Sequence, residues 1–128
     1  MGIFSEPDLD AVRELLRAME GRRVLVVGDG MLDGYLYGAS SRLSPEAPVP
    51  IVQVAREEYL LGGAANVAKC LVALGAKVSL CCAVGTDAPA QQFLDEARSL
   101  NIDTCLVFHE ALLPTTLKTR VVAGRQHV

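Results

Sequence analysis

Two aspartates four residues apart, a Gly-Gly pair at the start of a helical pattern, and two cations on alternate residues are the features of this 128-residue sequence that could serve a ligand. The aspartates lie in Gly28-Asp29-Gly30-Met31-Leu32-Asp33, directly after the apolar run Arg23-Val24-Leu25-Val26-Val27. A parallel strand there would put Asp29 and Asp33 at its carboxyl end, where open α/β sheets form their ligand crevice and a carboxylate can accept hydrogen bonds from sugar hydroxyls. Spacing alone leaves a plainer alternative open, in which Asp33 caps a turn and Asp29 is solvated, because Asp is common in turns. The segment also looks superficially like the opening of a dinucleotide-binding GxGxxG turn. Asp33 stands in place of the third glycine, Gly34-Tyr35-Leu36-Tyr37 follows where a helix is needed, and no acidic residue ends a following strand to hold a ribose. A nicotinamide-dependent oxidoreductase is therefore disfavoured.

The second segment is Leu61-Gly62-Gly63-Ala64-Ala65-Asn66. Small residues at a helix start let the backbone approach a ligand while free amides point outward, an arrangement suited to hydroxyls or anions. Asn66 adds a side-chain donor and acceptor in the first turn. Tight packing of the helix on a sheet would explain the alanines equally well, but it explains Gly-Gly plus Asn less well. The third segment is Pro114-Thr115-Thr116-Leu117-Lys118-Thr119-Arg120, where period-two strand geometry projects Lys118 and Arg120 from one face. Two cations so placed could hold a phosphate. Edge strands also carry Lys and Arg simply to discourage aggregation, and spacing alone favours that explanation.

The elements that must position these groups follow from the hydrophobic pattern. Leu9, Val12, Leu15, Leu16 and Met19 have helical spacing between Asp8 and Glu20, with Pro7 and Asp8 suited to the start and Gly21 to the end. The run Arg23 to Gly28, continuous and β-branched, predicts a strand buried on both faces and central in a parallel sheet. From Gly34 to Leu61 the pattern alternates around the polar, proline-rich stretch Ser40 to Pro50, predicting two exposed strands outside the main sheet. A helix over Ala64 to Leu74 with a Gly75 stop, a strand over Lys77 to Ala83 and a helix over about Ala88 to Leu100 restore an α/β rhythm. Strands follow at Cys105 to Phe108 and Thr116 to Val122, and the closing Gly124 to Val128 contains no cap, turn or helix that would complete an α/β unit.

Composition narrows the classes. With 51% hydrophobic residues the chain can bury one small core, and 12 Lys plus Arg against 15 Asp plus Glu, mixed along the sequence, supply no basic face for nucleic acid. No stretch approaches the roughly 20 apolar residues of a membrane span. The acidic, amphipathic N-terminus is unlike a signal peptide, so a cytoplasmic protein is expected. Cys70, Cys81, Cys82 and Cys105 sit in apolar runs without zinc-site spacing, which predicts buried, reduced thiols and no metal site.

The segment GGAANVAKCLVALGAKVSLCCAVG, from Gly62 to Gly85, resembles the first signature of the PfkB carbohydrate kinases. Its flanks, GDGMLDGYLYG, RLSPEAPVPIVQV and PTTLKTRVVAG, are similar to the heptose-7-phosphate kinase branch found in bifunctional ADP-heptose synthases, a match over about Arg23 to Gly124. The resemblance implies a ribokinase-like three-layer α/β/α fold with a small β-sheet lid, the lid strands falling at about 34–61 and 116–122. It implies transfer of the ATP γ-phosphoryl, with Mg2+, to a sugar hydroxyl: here O1 of D-glycero-β-D-manno-heptose 7-phosphate, on the route to ADP-heptose and the lipopolysaccharide core. Residue by residue, it makes Asp33, Gly62, Gly63 and Asn66 sugar contacts and Lys118 and Arg120 candidates near the substrate.

The same resemblance implies a homodimer through the lid, with Arg42 to Pro50 facing the partner. The family's second signature, a Gly-Ala-Gly-Asp segment giving the catalytic base and an anion hole, does not occur in these residues. The catalytic aspartate and most of the ATP and Mg2+ sites are therefore expected in a C-terminal half outside the chain, which is expected to be inactive in isolation. The alternatives are a non-catalytic sugar-binding or dimerisation module, and a PfkB kinase for another sugar.

Overall fold

A computed structural model describes residues 8–123 and 126–127 of the chain. The elements run α1 (Leu9–Met19), β1 (Arg23–Val27), β2 (Gly30–Leu43), β3 (Pro50–Gly63), α2 (Ala64–Ala73), β4 (Lys77–Val84), α3 (Ala88–Ser99), β5 (Asp103–His109), β6 (Leu117–Ala123) and β7 (Gln126–His127). Strands β1, β4 and β5 form a parallel sheet in the order β1-β4-β5, and the others form a separate sheet in the order β3-β2-β6-β7. In the second sheet β2 and β3 are an antiparallel pair, whereas β6 runs parallel to β2. The expectation for Pro7 lies outside the described residues.

Strand β4 shows why one face of the parallel sheet is sealed. Val78, Leu80, Cys82 and Val84 alternate inward, and Ala65 and Ala68 of α2 with Phe93, Leu94 and Ala97 of α3 close over them. The alanines let the helices approach closely, and Phe93, with no exposed surface, fills the space between α3 and the root of β2. Helix ends follow local chemistry: Asp8 accepts from the Asp10 and Ala11 amides at the start of α1, and Gly75, at φ 86°, turns the chain out of α2.

Three expectations change. Strand β1 is not central among the described residues, because it pairs only with β4, and Leu25 and Val27 on its outer face are 56% and 69% exposed. Its continuous apolar pattern is that of a strand covered on both faces, and here only the side bearing Val24 and Val26 is packed. Of the cysteines, all free, only Cys82 is buried; Cys81 is half-buried, and Cys70 and Cys105 are exposed because they fall on outward positions of their elements. The chain also continues past β6: Gln126 and His127 pair antiparallel with Ala123 and Val122, so the end of β6 lies between two strands, while Leu117 to Val121, including Lys118 and Arg120, pair only with β2 among the described residues. Residues 124, 125 and 128 lie outside the described set.

Candidate functional site

The site is built on the first residues of β2, whose two faces have opposite tasks. Leu32 is fully buried, and a Cβ on Gly30 would lie 2.8 Å from both the Cys82 sulfur and Phe93 Cζ, so this face is pressed against the core. Gly30 is thus a packing glycine and not part of a phosphate-binding turn. Met31, Asp33, Tyr35 and Tyr37 alternate onto the other face. Asp33 therefore lies inside a strand, not at the carboxyl end of a parallel one as the spacing suggested; Asp29 alone occupies that end, after β1.

Asp33 and the Gly62-Gly63 pair are brought together by the β2–β3 register, in which Met31 opposes Gly62 and Asp33 opposes Leu60. A Cβ on Gly62 would fall 2.7 Å from Asp33 Oδ2 and 2.7 Å from Met31 Cγ, so only glycine fits beneath that carboxylate. Gly63 precedes α2 at φ 57°, and a side chain there would collide with the Asp29 carbonyl oxygen. That carbonyl accepts from the Ala64 amide at 2.9 Å, so the first amide of α2 is already occupied by the β1–β2 turn. Asn66, exposed in the first turn of α2, makes no side-chain hydrogen bond among the described residues.

Strand β6 adds the cations. In register, Asp33 opposes Lys118 and Tyr35 opposes Arg120, which puts all four side chains on one face. Arg120 Nη1 donates to Asp33 Oδ1 at 2.7 Å, its guanidinium lies 5.0 Å from the centre of the Tyr35 ring, and the pair is largely shielded, with side chains 29% and 20% exposed. Hydrogen bonding to Asp33 holds the Arg120 guanidinium above its ordinary range. Lys118 is exposed and forms no ion pair among the described residues.

A cleft of about 350 Å³ opens at the carboxyl ends of β1 and β4, lined by Asp29, Gly30, Met31, Ala83, Val84, Leu113, Pro114 and Thr116. Asp33, Gly62, Gly63 and Asn66 are not in its wall; Met31 reaches from the cleft to both glycines, and Asp33 packs over Gly62 beside it. Sequence reasoning missed one hydrogen-bonded pair beside this cleft. Asp87 and Thr115 tie the segment leading into β6 to the start of α3, and the capping pattern Asp87-Ala88-Pro89 was a readable signal for one of them. Among the described residues no cluster of three or more His, Cys, Asp or Glu side chains is placed to hold a metal ion, and no helix is long and apolar enough to cross a membrane.

An α/β body with a parallel sheet and a separate four-stranded sheet is the ribokinase-type fold of the solved structures it resembles. The chain superposes on a carbohydrate kinase from Agrobacterium tumefaciens (TM-score 0.65, 19% identity, 84% of this chain and 34% of that one). It also superposes on a Methanocaldococcus jannaschii nucleoside kinase described as an archaeal member of the ribokinase family (TM-score 0.61, 19% identity, 85% and 36%). Residues 22–128 match the pfkB family carbohydrate kinase profile, and the chain belongs to that family. It is 50% identical over 107 residues to the bifunctional protein HldE of Helicobacter pylori, covering 84% of this chain and 23% of that protein. With the HldE of Pelobacter propionicus the identity is 43% over 121 residues, covering 94% and 25%. The chain thus spans about a quarter of the length of these curated relatives.

Proposed function

We propose that this chain is the sugar-binding part of an ATP-dependent kinase whose complete form phosphorylates D-glycero-β-D-manno-heptose 7-phosphate at O1, with the second sheet as its lid. The observation that carries the reading is the seating of the Asp33 carboxylate over Gly62, with Arg120 and Lys118 on the same face. Asp33 Oδ1 is held by Arg120, which leaves Oδ2 and the remaining lone pairs to accept sugar hydroxyls. Gly62 and Gly63 keep the floor free of side chains, and Asn66 offers a donor and an acceptor to neighbouring hydroxyls. Lys118 and Arg120 supply positive charge for the phosphate the sugar already carries.

In the proposed reaction the γ-phosphoryl passes from ATP to the sugar O1, the hydroxyl proton goes to a base, and ADP leaves. This chain's part is alignment, which lowers the barrier by fixing the nucleophile. The Gly-Ala-Gly-Asp segment expected to hold the base is not in this sequence. The product would serve ADP-heptose and lipopolysaccharide-core synthesis in the cytoplasm, and the hairpin tip around 42–50 would meet a second copy in a homodimer. Sugar recognition without transfer chemistry, a binding module, is the alternative for the chain by itself.

Calorimetric titration with heptose 7-phosphate, hexose phosphates and ribose tests the substrate. The reading expects the heptose 7-phosphate to bind most tightly and a coupled assay on this chain to show no sugar-dependent ADP release. Equal affinity for ribose, or NADH fluorescence enhancement in place of sugar binding, would overturn it.

A further inference from the structure

Thr115 is the one buried polar residue among the described residues, and its bonds all converge on one place. Its hydroxyl donates to Asp87 Oδ1 at 2.6 Å and accepts from the Gly85 amide at 2.9 Å, while its own amide donates to Asp87 Oδ2 at 2.9 Å. Asp87 Oδ1 simultaneously accepts from the Ala90 amide at 3.0 Å, capping α3. One residue further along, the Thr116 carbonyl accepts from the Leu32 amide at 2.9 Å, the first link between the segment entering β6 and strand β2. A Cβ on Gly85 would fall 2.6 Å from the Leu113 carbonyl oxygen, so the segment lies flat against the end of β4.

This cluster stands where the α/β body meets the second sheet. Pro114 and Thr116, on either side of Thr115, form part of the cleft wall. Buried hydrogen bonds to a carboxylate are stronger than neutral ones, and losing one partner leaves the other unsatisfied, so such a cluster holds its chain segments in one arrangement. The α3 cap alone needs only one oxygen of Asp87; the second oxygen is spent entirely on the Thr115 amide.

We propose that Asp87 and Thr115 are positioning residues that lock the second sheet to the body, setting where β6, and with it Lys118 and Arg120, stands relative to Asp33 and the cleft. The consequence for sugar binding rests on the function proposed above; the lock itself does not, and it can be tested without a ligand.

The test is residue-resolved amide hydrogen exchange on the protein and three variants. Asp87→Asn keeps one acceptor oxygen for the α3 cap but faces the Thr115 amide with a donor, Thr115→Val removes the hydroxyl, and Thr115→Ser retains it. Loss of one such bond corresponds to about 10-fold faster opening. The proposal expects that change at Leu32 and along β6 in Asp87→Asn and Thr115→Val, with α3 amides changing less than about 2-fold and Thr115→Ser close to wild type. Uniform acceleration across α2, α3 and β6, acceleration confined to the first turn of α3, or an unchanged Leu32 amide would each overturn it. If Thr115→Val does not fold, Asp87→Asn and Thr115→Ser carry the comparison. Weaker sugar binding in a variant whose Leu32 exchange is unchanged would count against the lock and not against the sugar site.

Discussion

The chain contains two sheets, each with one packed face and one open face, and the open faces differ in kind. On the parallel sheet the open side carries the apolar Leu25, Val27 and Phe108, 56%, 69% and 62% exposed, at one end, and Arg23, Lys77 and the hydrogen-bonded Ser79–Asp103 pair at the other. On the second sheet it carries Asp33, Tyr35, Lys118 and Arg120, with an ion pair at 2.7 Å already formed. An apolar face gains by contact with more apolar surface, whereas a charged one gains only from a partner that replaces lost hydration with directed bonds. On the function proposed above, the ligand would be met by the second sheet and the turn beneath it, with the parallel sheet as their support.

The sharpest way to break that division is to damage each sheet separately. Phe93→Ala, emptying the sealed side of the parallel sheet, should cost about 3–5 kcal/mol in denaturant unfolding, because the ring is fully buried and its removal leaves a cavity. Leu25→Ala, on the open side of the same sheet, should cost less than about 1 kcal/mol. Similar losses for the two would mean that the open face is packed in solution.

On the second sheet the expected effect is on binding. Asp33→Ala should weaken heptose 7-phosphate affinity about 10- to 100-fold by calorimetry, since hydrogen bonds to a charged acceptor are lost and Arg120 is left unpaired. Lys118→Gln should weaken it less, about 3- to 10-fold, and only for phosphorylated sugars. An unphosphorylated sugar affected equally would remove the phosphate role from Lys118.

A smaller effect concerns acid. The Asp87 carboxyl is held below its ordinary range chiefly by the Thr115 hydroxyl and then by the Thr115 amide, and that of Asp103 by the Cys105 amide, the Cys105 thiol and the Ser79 hydroxyl. A carboxyl lowered in the folded state stabilises fully above its unfolded value of about 3.9, and that stabilisation disappears as pH falls through the lower folded value. Thermal stability should therefore be steady near neutrality and decline below about pH 4, and Asp87→Asn should reduce that decline. An identical acid slope in the variant would contradict the role given to Asp87.

Much of this was legible in the sequence because it rests on local pattern. The helices over 64–73 and 88–99 follow apolar periodicity and glycine or aspartate ends, and the Gly62 to Gly85 run carries the family resemblance by itself. What could not be read depends on registers and partners distant in the chain. Nothing near Asp33 announces that Arg120, 87 residues away, will bind it, nor that Thr115 will seat itself on Asp87 from 28 residues away. The exposure of β1 was misread for a related reason: its composition records two covered faces, and only one is covered here. Cys70 and Cys105 were misread because an apolar run in a half-buried helix or strand still turns some of its residues outward.

Amide chemical shifts followed during titration with heptose 7-phosphate test the central claim most directly. The account predicts shifts clustered at Asp33, Gly62, Gly63 and Asn66, extending to Lys118 and Arg120 with the phosphorylated sugar and reduced there with ribose, while Leu25, Val27 and Phe108 stay still. Shifts centred on the parallel sheet's apolar face, with Asp33 and the Gly62-Gly63 turn unmoved, would contradict it.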